Sequence, residues 1–504
     1  AVIAFDAALV ARVINPQARE LLGVTAPTGT PLRDLGLTAR VAGVVIAPTD
    51  VPVAAAVNER IVLLSCRRVH RDGTDLAAAI DRSLSERPDD TPSRIALLGD
   101  YFEVDFGLGP LSNAGDPLTD AFVAGFSPGG TATFSKRYAA TFAQAGTAIA
   151  VNAAQEILLG GTFGSSADLG CGVLPGAGGT DVFLAKLSAI GACVWSKRFG
   201  DAADQDLASV AFDGSGNVLA GGRFAGAIGL GGPIFTMNGA VHGGFVVKLD
   251  PLGAHLFSSS LGNVNSDQEV QSVTADPSGN IVLGGVFTGN IDVGGGPLPS
   301  AGQGDLFVIK LDPGGSNVWS KALGDASDQA GRALVATDGN GAVLVAGHFQ
   351  GTLDFGLGQL PSAGQSDLFA AKLDADGNAL WSKRYGGSGT ATTLAAVAID
   401  GNGNVYLTGL LTGTFNFGGG PLTSAGSSDV LVVKLDAAAE HIMDRVVAAE
   451  EERCLRGHVA GLAQAGMDRV VLLQRLRKRL LGFLVLVGVH GKPLNPGGRT
   501  ARRH

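Results

Sequence analysis

A lysine returns every 62 residues through the middle of this chain. It sits in "AKL", "VKL", "IKL", "AKL" and "VKL", at Lys186, Lys248, Lys310, Lys372 and Lys434. The same interval links Trp195, Phe257, Trp319 and Trp381, and it links Asp276, Asp338 and Asp400. A long fixed period implies a row of like units, each unable to bury its apolar surface without a neighbour. That constraint outranks any local motif.

Four strand candidates fall in each unit. Around residue 400 they are "LAAVAID", "NVYLTGLL", "DVLVVKL" and a strand of the "ALWSKRY" type seen at 379–385. Each is short, rich in Val, Leu, Phe or Trp, and bounded by Gly, Asp, Asn, Pro or Ser. The linking turns "DGSGN" (213–217), "DPSGN" (276–280) and "DGNGN" (400–404) carry the Gly and Asn that a tight hairpin needs. The chain's 76 glycines with 45% hydrophobic residues fit many short strands and turns rather than disorder. Four antiparallel strands per unit, repeated from about residue 94 to 436, predict a β-propeller. A β-solenoid is the alternative. The recurring Phe183, Phe245, Phe307 and Phe369 would fill the space between blades. The count is about six blades, two of them incomplete. The first opens at "RIALLGDYF" without an inner strand, and the last stops at "VVKLD" without its Trp strand, which leaves closure open.

"DPSGNIVLGGVF" with "GDLFVIKLDPGGSNVWSKALG", and "DGNGNVYLTG" with "SDVLVVKLD", resemble the bacterial β-propeller repeat family called SBBP. The resemblance covers about two-thirds of the chain. It implies a propeller in an envelope or secreted setting and no defined enzymatic activity.

The flanks break the period. "AVIAFDAALVARVINPQARELLGV" followed by "GTPLRDL" resembles the opening of a PAS sensory domain, with Asp6, Asn15, Leu22, Gly23 and Gly29 at the family's signature positions. The expected organisation is a PAS-like α/β domain at 1–82, a linker at 83–93, the propeller at 94–436 and a helical, basic extension at 437–504. From His441 the apolar spacing reads as helical. Arg475, Arg477, Lys478 and Arg479 form a basic cluster suited to a membrane surface or a partner. The start at Ala1, without Met, suggests a fragment or a processed product.

Candidate chemistry is sparse. "GFSPG" around Ser127 has the G-x-S-x-G form, but it falls at a blade turn rather than between a strand and a helix. The "DGNGN" turns have alternating oxygen side chains, so Ca²⁺ at the blade turns is conceivable. They lack the bidentate Glu, with Leu411 at position twelve from Asp400. No cofactor or metal site is predicted. His242, His255 and His348 occur singly and read as surface residues. Cys171 and Cys193 stand in one unit where others have non-Cys residues such as Gly295 and Ala379, which suggests a disulfide and an oxidising compartment. The net charge of −9 argues against a nucleic-acid partner.

The expectation is a non-enzymatic binding protein that presents loops to a protein or an envelope polymer, at the cell envelope or outside it. The alternative is a cytoplasmic signalling scaffold whose PAS-like segment senses a small molecule.

Overall fold

The computed structural model describes residues 95–447, short loop segments excepted, and four earlier strands: Ile3–Phe5, Ala11–Ile14, Pro52–Val57 and Arg60–Ser65. The chain is a β-propeller. Five antiparallel sheets have four strands each, spanning 144–199, 205–261, 268–323, 332–385 and 391–447, here blades 2 to 6. Within each, the strands lie in sequence order from the inner to the outer edge. Blade 3 shows the pattern: Gln205–Phe212, Val218–Phe224, Gly243–Leu249 and His255–Leu261.

Blade 1 is a five-stranded sheet ordered 60–65, 52–57, 95–101, 120–126, 132–138. The inner strand missing from "RIALLGDYF" is thus supplied from some 40 residues upstream, inside the segment assigned above to a PAS-like domain. Ile3–Phe5 and Ala11–Ile14 pair as a hairpin ending just before Asp6 and Asn15. Those two residues, with Leu22, Gly23 and Gly29, lie outside the described residues.

The other end needs a correction. The helix expected from His441 is instead the outer strand of blade 6, His441–Val447, paired in the same bulged register as the outer strands of blades 2 to 5. Met443 stands opposite Lys434, where Trp195, Trp319 and Trp381 stand opposite their own lysines. A strand edge waiting for pairing overrode local helix propensity, whose differences are only tenths of a kcal/mol per residue. Among the described residues there is no helix. Residues 448–504, with the basic cluster, lie outside them.

Inner strands of successive blades run side by side, and that of blade 6 lies beside 60–65 of blade 1. The sheets therefore follow one another around a common axis, and the last meets the first. Side chains lace the inner strands together. Val273 N–H donates to Ser209 Oγ (3.1 Å), Val335 N–H to Ser272 Oγ (3.1 Å), and Thr337 Oγ1 donates to Ala275 O (2.7 Å).

Third strands such as "DVFLAKL" and "DLFVIKL" are buried at every position, because both faces of a blade are covered by neighbours. This explains why they read as unbroken apolar runs rather than alternating ones. The edge of the second strand pairs a Phe with one from the third. Phe224 meets Phe245 at 6.5 Å and Phe349 meets Phe369 at 5.8 Å, both edge-on, a favoured geometry for aromatic pairs. Between second and third strands each blade carries a small hairpin, such as Ala227–Gly229 with Ile234–Thr236. These six hairpins lie at one end of the blades, and the turns between first and second and between third and fourth strands lie at the other.

Candidate functional site at the hairpin end of the axis

The turn end is committed to holding blades together. In the turn 213–217, Asp213 Oδ1 accepts the N–H groups of Ser215 and Asn217 while Oδ2 accepts Asn217 Nδ2. The repeating lysine comes from the third strand to the same oxygen: Lys248 Nζ lies 3.0 Å from Asp213, Lys310 2.9 Å from Asp276, and Lys372 2.9 Å from Asp338. Lysine also reaches the next blade. Lys186, Lys248 and Lys310 donate to the carbonyls of Pro251, Pro313 and Ala375 at 3.1–3.2 Å. Trp195 and Trp319 indole N–H groups share the first and third of those carbonyls, and Trp381 donates to Ala437 O. Burial alone would raise the pKa of Asp213, Asp276 and Asp338. Hydrogen bonds from their lysines and from the turn outweigh it and hold all three carboxyls below the usual value.

Blade 2 swaps the chemistry around the same lysine. Asn152 takes the aspartate's place and Glu156 the asparagine's, with Asn152 Nδ2 donating to Glu156 Oε2 (2.8 Å) and Lys186 Nζ 2.8 Å from that oxygen. One carboxylate per lysine is preserved. Lys434 differs again, standing 5.3 Å over the Tyr406 ring. In the turn at 400–404, Asp400 accepts the N–H groups of Asn402 and Asn404, Asn404 Nδ2 and the Tyr406 hydroxyl. Lys186, Lys248, Lys310 and Lys372, with Trp195, Trp319 and Trp381, are structural latches.

Each latch is completed by an aromatic side chain lying on the next blade's turn. A Cβ on Gly253 (φ +84°) would stand 3.2 Å from the Trp195 ring, and one on Gly315 (φ +92°) would stand 2.1 Å from Phe257. Glycine is required at both for φ and for space. In blade 6 that position is Ala439, held at φ +61°.

Cys171, in the blade 2 hairpin, is bonded to Cys193 of the outer strand, with Cα atoms 5.6 Å apart. Elsewhere this contact is made by a side chain lying over a glycine: His255 over Gly232, Asn317 over Gly295 and His441 over Gly419.

The hairpin end carries a second set of charges, which differ from blade to blade. On the inner strands of blades 3, 4 and 5, Asp206, Glu269 and Arg332 occupy the same position, paired across to Arg223, Val286 and His348. In blades 3 and 4 the inner strand bulges just beyond, between Leu207 and Ser209 and between Val270 and Ser272. The bulge drives the carbonyl of Asp206 or Glu269 to within 2.0 Å of where a Cβ on Gly222 or Gly285 would be. The Gly-Gly step of the second strand is therefore needed for this local shape, which sets how the charged side chain leaves the strand.

Arg223 Nε and Nη2 donate to Asp206 Oδ2 at 2.9 and 2.8 Å, and its Nη1 lies 3.9 Å from Glu269 Oε2. Arg332 Nη1 donates to Leu394 O of blade 6 (3.3 Å), and Leu394 N–H donates to His348 Nδ1 (3.4 Å). Gln271 Oε1 accepts from Ala333 N–H at 3.1 Å. The result is a charged belt across blades 3 to 6. Burial lowers the pKa of Arg332, partly offset by Glu269. Burial, and then the Arg332 charge, lower that of His348 to about 4, so its imidazole is neutral at pH 7. His348 is thus not the surface residue expected from sequence. Its position in register with Asp206–Arg223 was the overlooked signal. His255 and His242 are local contacts, the former to Ser258 Oγ (2.9 Å) and the latter to Asp267 (3.2 Å). Ser127 lies outside the described residues, in the connection from Asp120–Phe126 to Ala132–Tyr138.

Among the described residues no group of three or more His, Cys, Asp or Glu side chains is arranged to hold a metal ion. The belt can instead offer donors and acceptors side by side to a polar ligand.

Known proteins place the repeat. Residues 380–410 match the family model for the beta-propeller repeat SBBP. An uncharacterized WD repeat-containing protein of Acanthamoeba polyphaga mimivirus is 28% identical over 165 residues, covering 29% of this chain and 11% of that protein. Regulatory protein FlaEY of Caulobacter vibrioides is 31% identical over 165 residues, covering 31% of this chain and 17% of its own length. The chain thus spans under a fifth of either relative. Among solved structures, puromycin hydrolase overlaps 82% of this chain and 55% of its own at 12% identity, with a TM-score of 0.37. The chain is a β-propeller in which residues 380–410 match the SBBP repeat.

Proposed function

We propose that this propeller is a non-catalytic recognition module that binds a protein or an envelope polymer at its hairpin end. The observation behind the proposal is the asymmetry of the two ends. Turn-end Asp, Lys and Trp side chains repeat the same latch from blade to blade, whereas the Asp206–Arg223–Glu269–Arg332 belt gathers charges of both signs that vary at one repeat position. Rigid blades carrying exposed connections suit such a role. The partly exposed Arg223, Asp206 and Glu269 side chains exchange partners at low cost when a polar ligand arrives.

The test is an array of envelope glycans and peptides probed with the full chain and with Arg223→Ala, Arg332→Gln and Lys383→Ala variants. Ligands lost in the first two but kept in the third support the reading. Ligands indifferent to both belt arginines refute the belt as the site.

An envelope or extracellular location belongs to the same proposal, supported by the Cys171–Cys193 bridge, which an oxidising compartment maintains. Alkylation of protein from its native cells, before and after reduction, tests it. Two thiols free before reduction would move the chain to a reducing compartment.

A further inference from the structure

At the start of the third strand, blades 2 and 5 each pair a buried aspartate with a partly exposed arginine. Arg198 Nη1 donates to Asp181 Oδ1 (3.1 Å) and to Gly200 O (3.3 Å). Arg384 Nη1 donates to Asp367 Oδ2 (2.7 Å) and to Gly386 O (3.4 Å). Blade 3 has lost both partners together, with Gly243 and Ser260 at those positions. In blade 6 Asp429 stands with Val446 and has a partner of its own. Blade 4 alone among these keeps the acid without the cation or a replacement. Asp305 is 1% exposed, and the arginine position is Ala322.

Asp305 Oδ2 accepts the N–H of Ala301, but Oδ1 has no hydrogen-bond partner among the described residues. A second orphan acceptor faces it. Gln329, fully buried, donates through Nε2 to Asp325 Oδ1 (2.7 Å), which fixes the amide and leaves Oε1 without a donor. Both oxygens converge on Gly324, lying 2.0 and 2.4 Å from where its Cβ would be. In blade 2 the matching Gln205 Oε1 accepts from Asp201 N–H (3.2 Å), so two facing orphans are peculiar to blade 4 among the described residues. Two buried acceptors turned toward each other without a donor are unfavourable unless a positive group joins them.

We propose that Asp305 Oδ1 and Gln329 Oε1 form a binding site for a small monovalent cation, in the place the Arg198 guanidinium takes beside Asp181 Oδ1 in blade 2. The Gly324 carbonyl, counterpart of Gly200 O and Gly386 O, completes the donor set. Oxygen-only donors select a hard ion, and one carboxylate among neutral oxygens matches a single charge. The short Ala322 side chain, partly exposed, leaves the approach open.

The experiment is urea unfolding of the full chain in tetramethylammonium chloride, whose cation is too bulky for the slot, with sodium or potassium substituted at constant ionic strength. The expected result is a midpoint that rises with cation concentration and saturates. Asp305→Asn should abolish that rise. Ala322→Arg, which restores the guanidinium, should abolish it too while raising the midpoint in tetramethylammonium alone. If Ala322→Arg does not fold, the Asp305→Asn comparison still decides. A wild-type midpoint equal in all three salts, or a rise that survives Asp305→Asn, overturns the site. Neither result bears on ligand binding at the belt.

Discussion

Replacing Lys310 with Met tests the latch most directly. Lys310 and Asp276 side chains are each 3% exposed, with Nζ 2.9 Å from Oδ2. Met fills similar space, so the loss is electrostatic. Asp276 keeps hydrogen bonds from Ser278 N–H, Asn280 N–H and Asn280 Nδ2. Ala375 O keeps the Trp319 indole at 3.0 Å. What remains uncompensated is one buried negative charge. Removing one partner of a buried pair costs about 3–5 kcal/mol, and the three surviving hydrogen bonds place this case near 3. Asp276→Asn strands the ammonium instead and should cost about as much. The double variant removes both charges, so it should fall short of the sum by roughly 2–3 kcal/mol. Urea unfolding followed by tryptophan fluorescence suits the measurement, because the chain has three tryptophans and all three make latches. The pH dependence has a definite sign. A lowered carboxyl pKa contributes stability above its unfolded value, about 3.9, and loses it as pH falls through the folded value. Wild-type stability should therefore drop more steeply below pH 4 than that of Asp276→Asn. Additive costs in the double variant, or a single-variant cost under about 1 kcal/mol, would refute the latch.

Three more outcomes are expected. Ala439→Gly should stabilise by up to about 1 kcal/mol, because it removes a left-handed alanine worth about 1–2 kcal/mol and gives part back as unfolded-chain entropy; a lower unfolding midpoint would count against this. Gly315→Ala, at φ +92° and against the Phe257 ring, should destabilise by more than 1 kcal/mol, whereas Gly401→Ala, with open space around it, should change little. His348, neutral when folded with a pKa of about 4 against 6.5 unfolded, contributes stability that is complete above pH 6.5 and lost as pH falls toward 4, at most on the order of 3 kcal/mol. His348→Gln should flatten the stability profile between pH 4 and 6.5; an unchanged profile would show that the histidine does not stay neutral.

The repeat made the blades legible before any coordinates. Lys186, Lys248, Lys310 and Lys372 mark third strands, and the DGSGN-type segments are the hairpin turns, because period, strand length and turn chemistry are local properties of the chain. The 62-residue interval also marked the lysines and tryptophans as equivalent, but it could not say what they touch. Besides the turn carboxylates of their own blade, they reach carbonyls some 56 to 65 residues away on the next blade. The blade 1 inner strands at 52–57 and 60–65 were hidden by divergence from the repeat, and the last outer strand by a helical pattern that pairing overrode. The belt was invisible for a related reason. Asp206, Glu269 and Arg332 share a repeat position but differ in charge, so a search for sameness passes over them. Period and turns follow from neighbours in sequence and could be read along the chain. Which charges meet between neighbouring blades follows from how blades stack, and only the tertiary structure decided that.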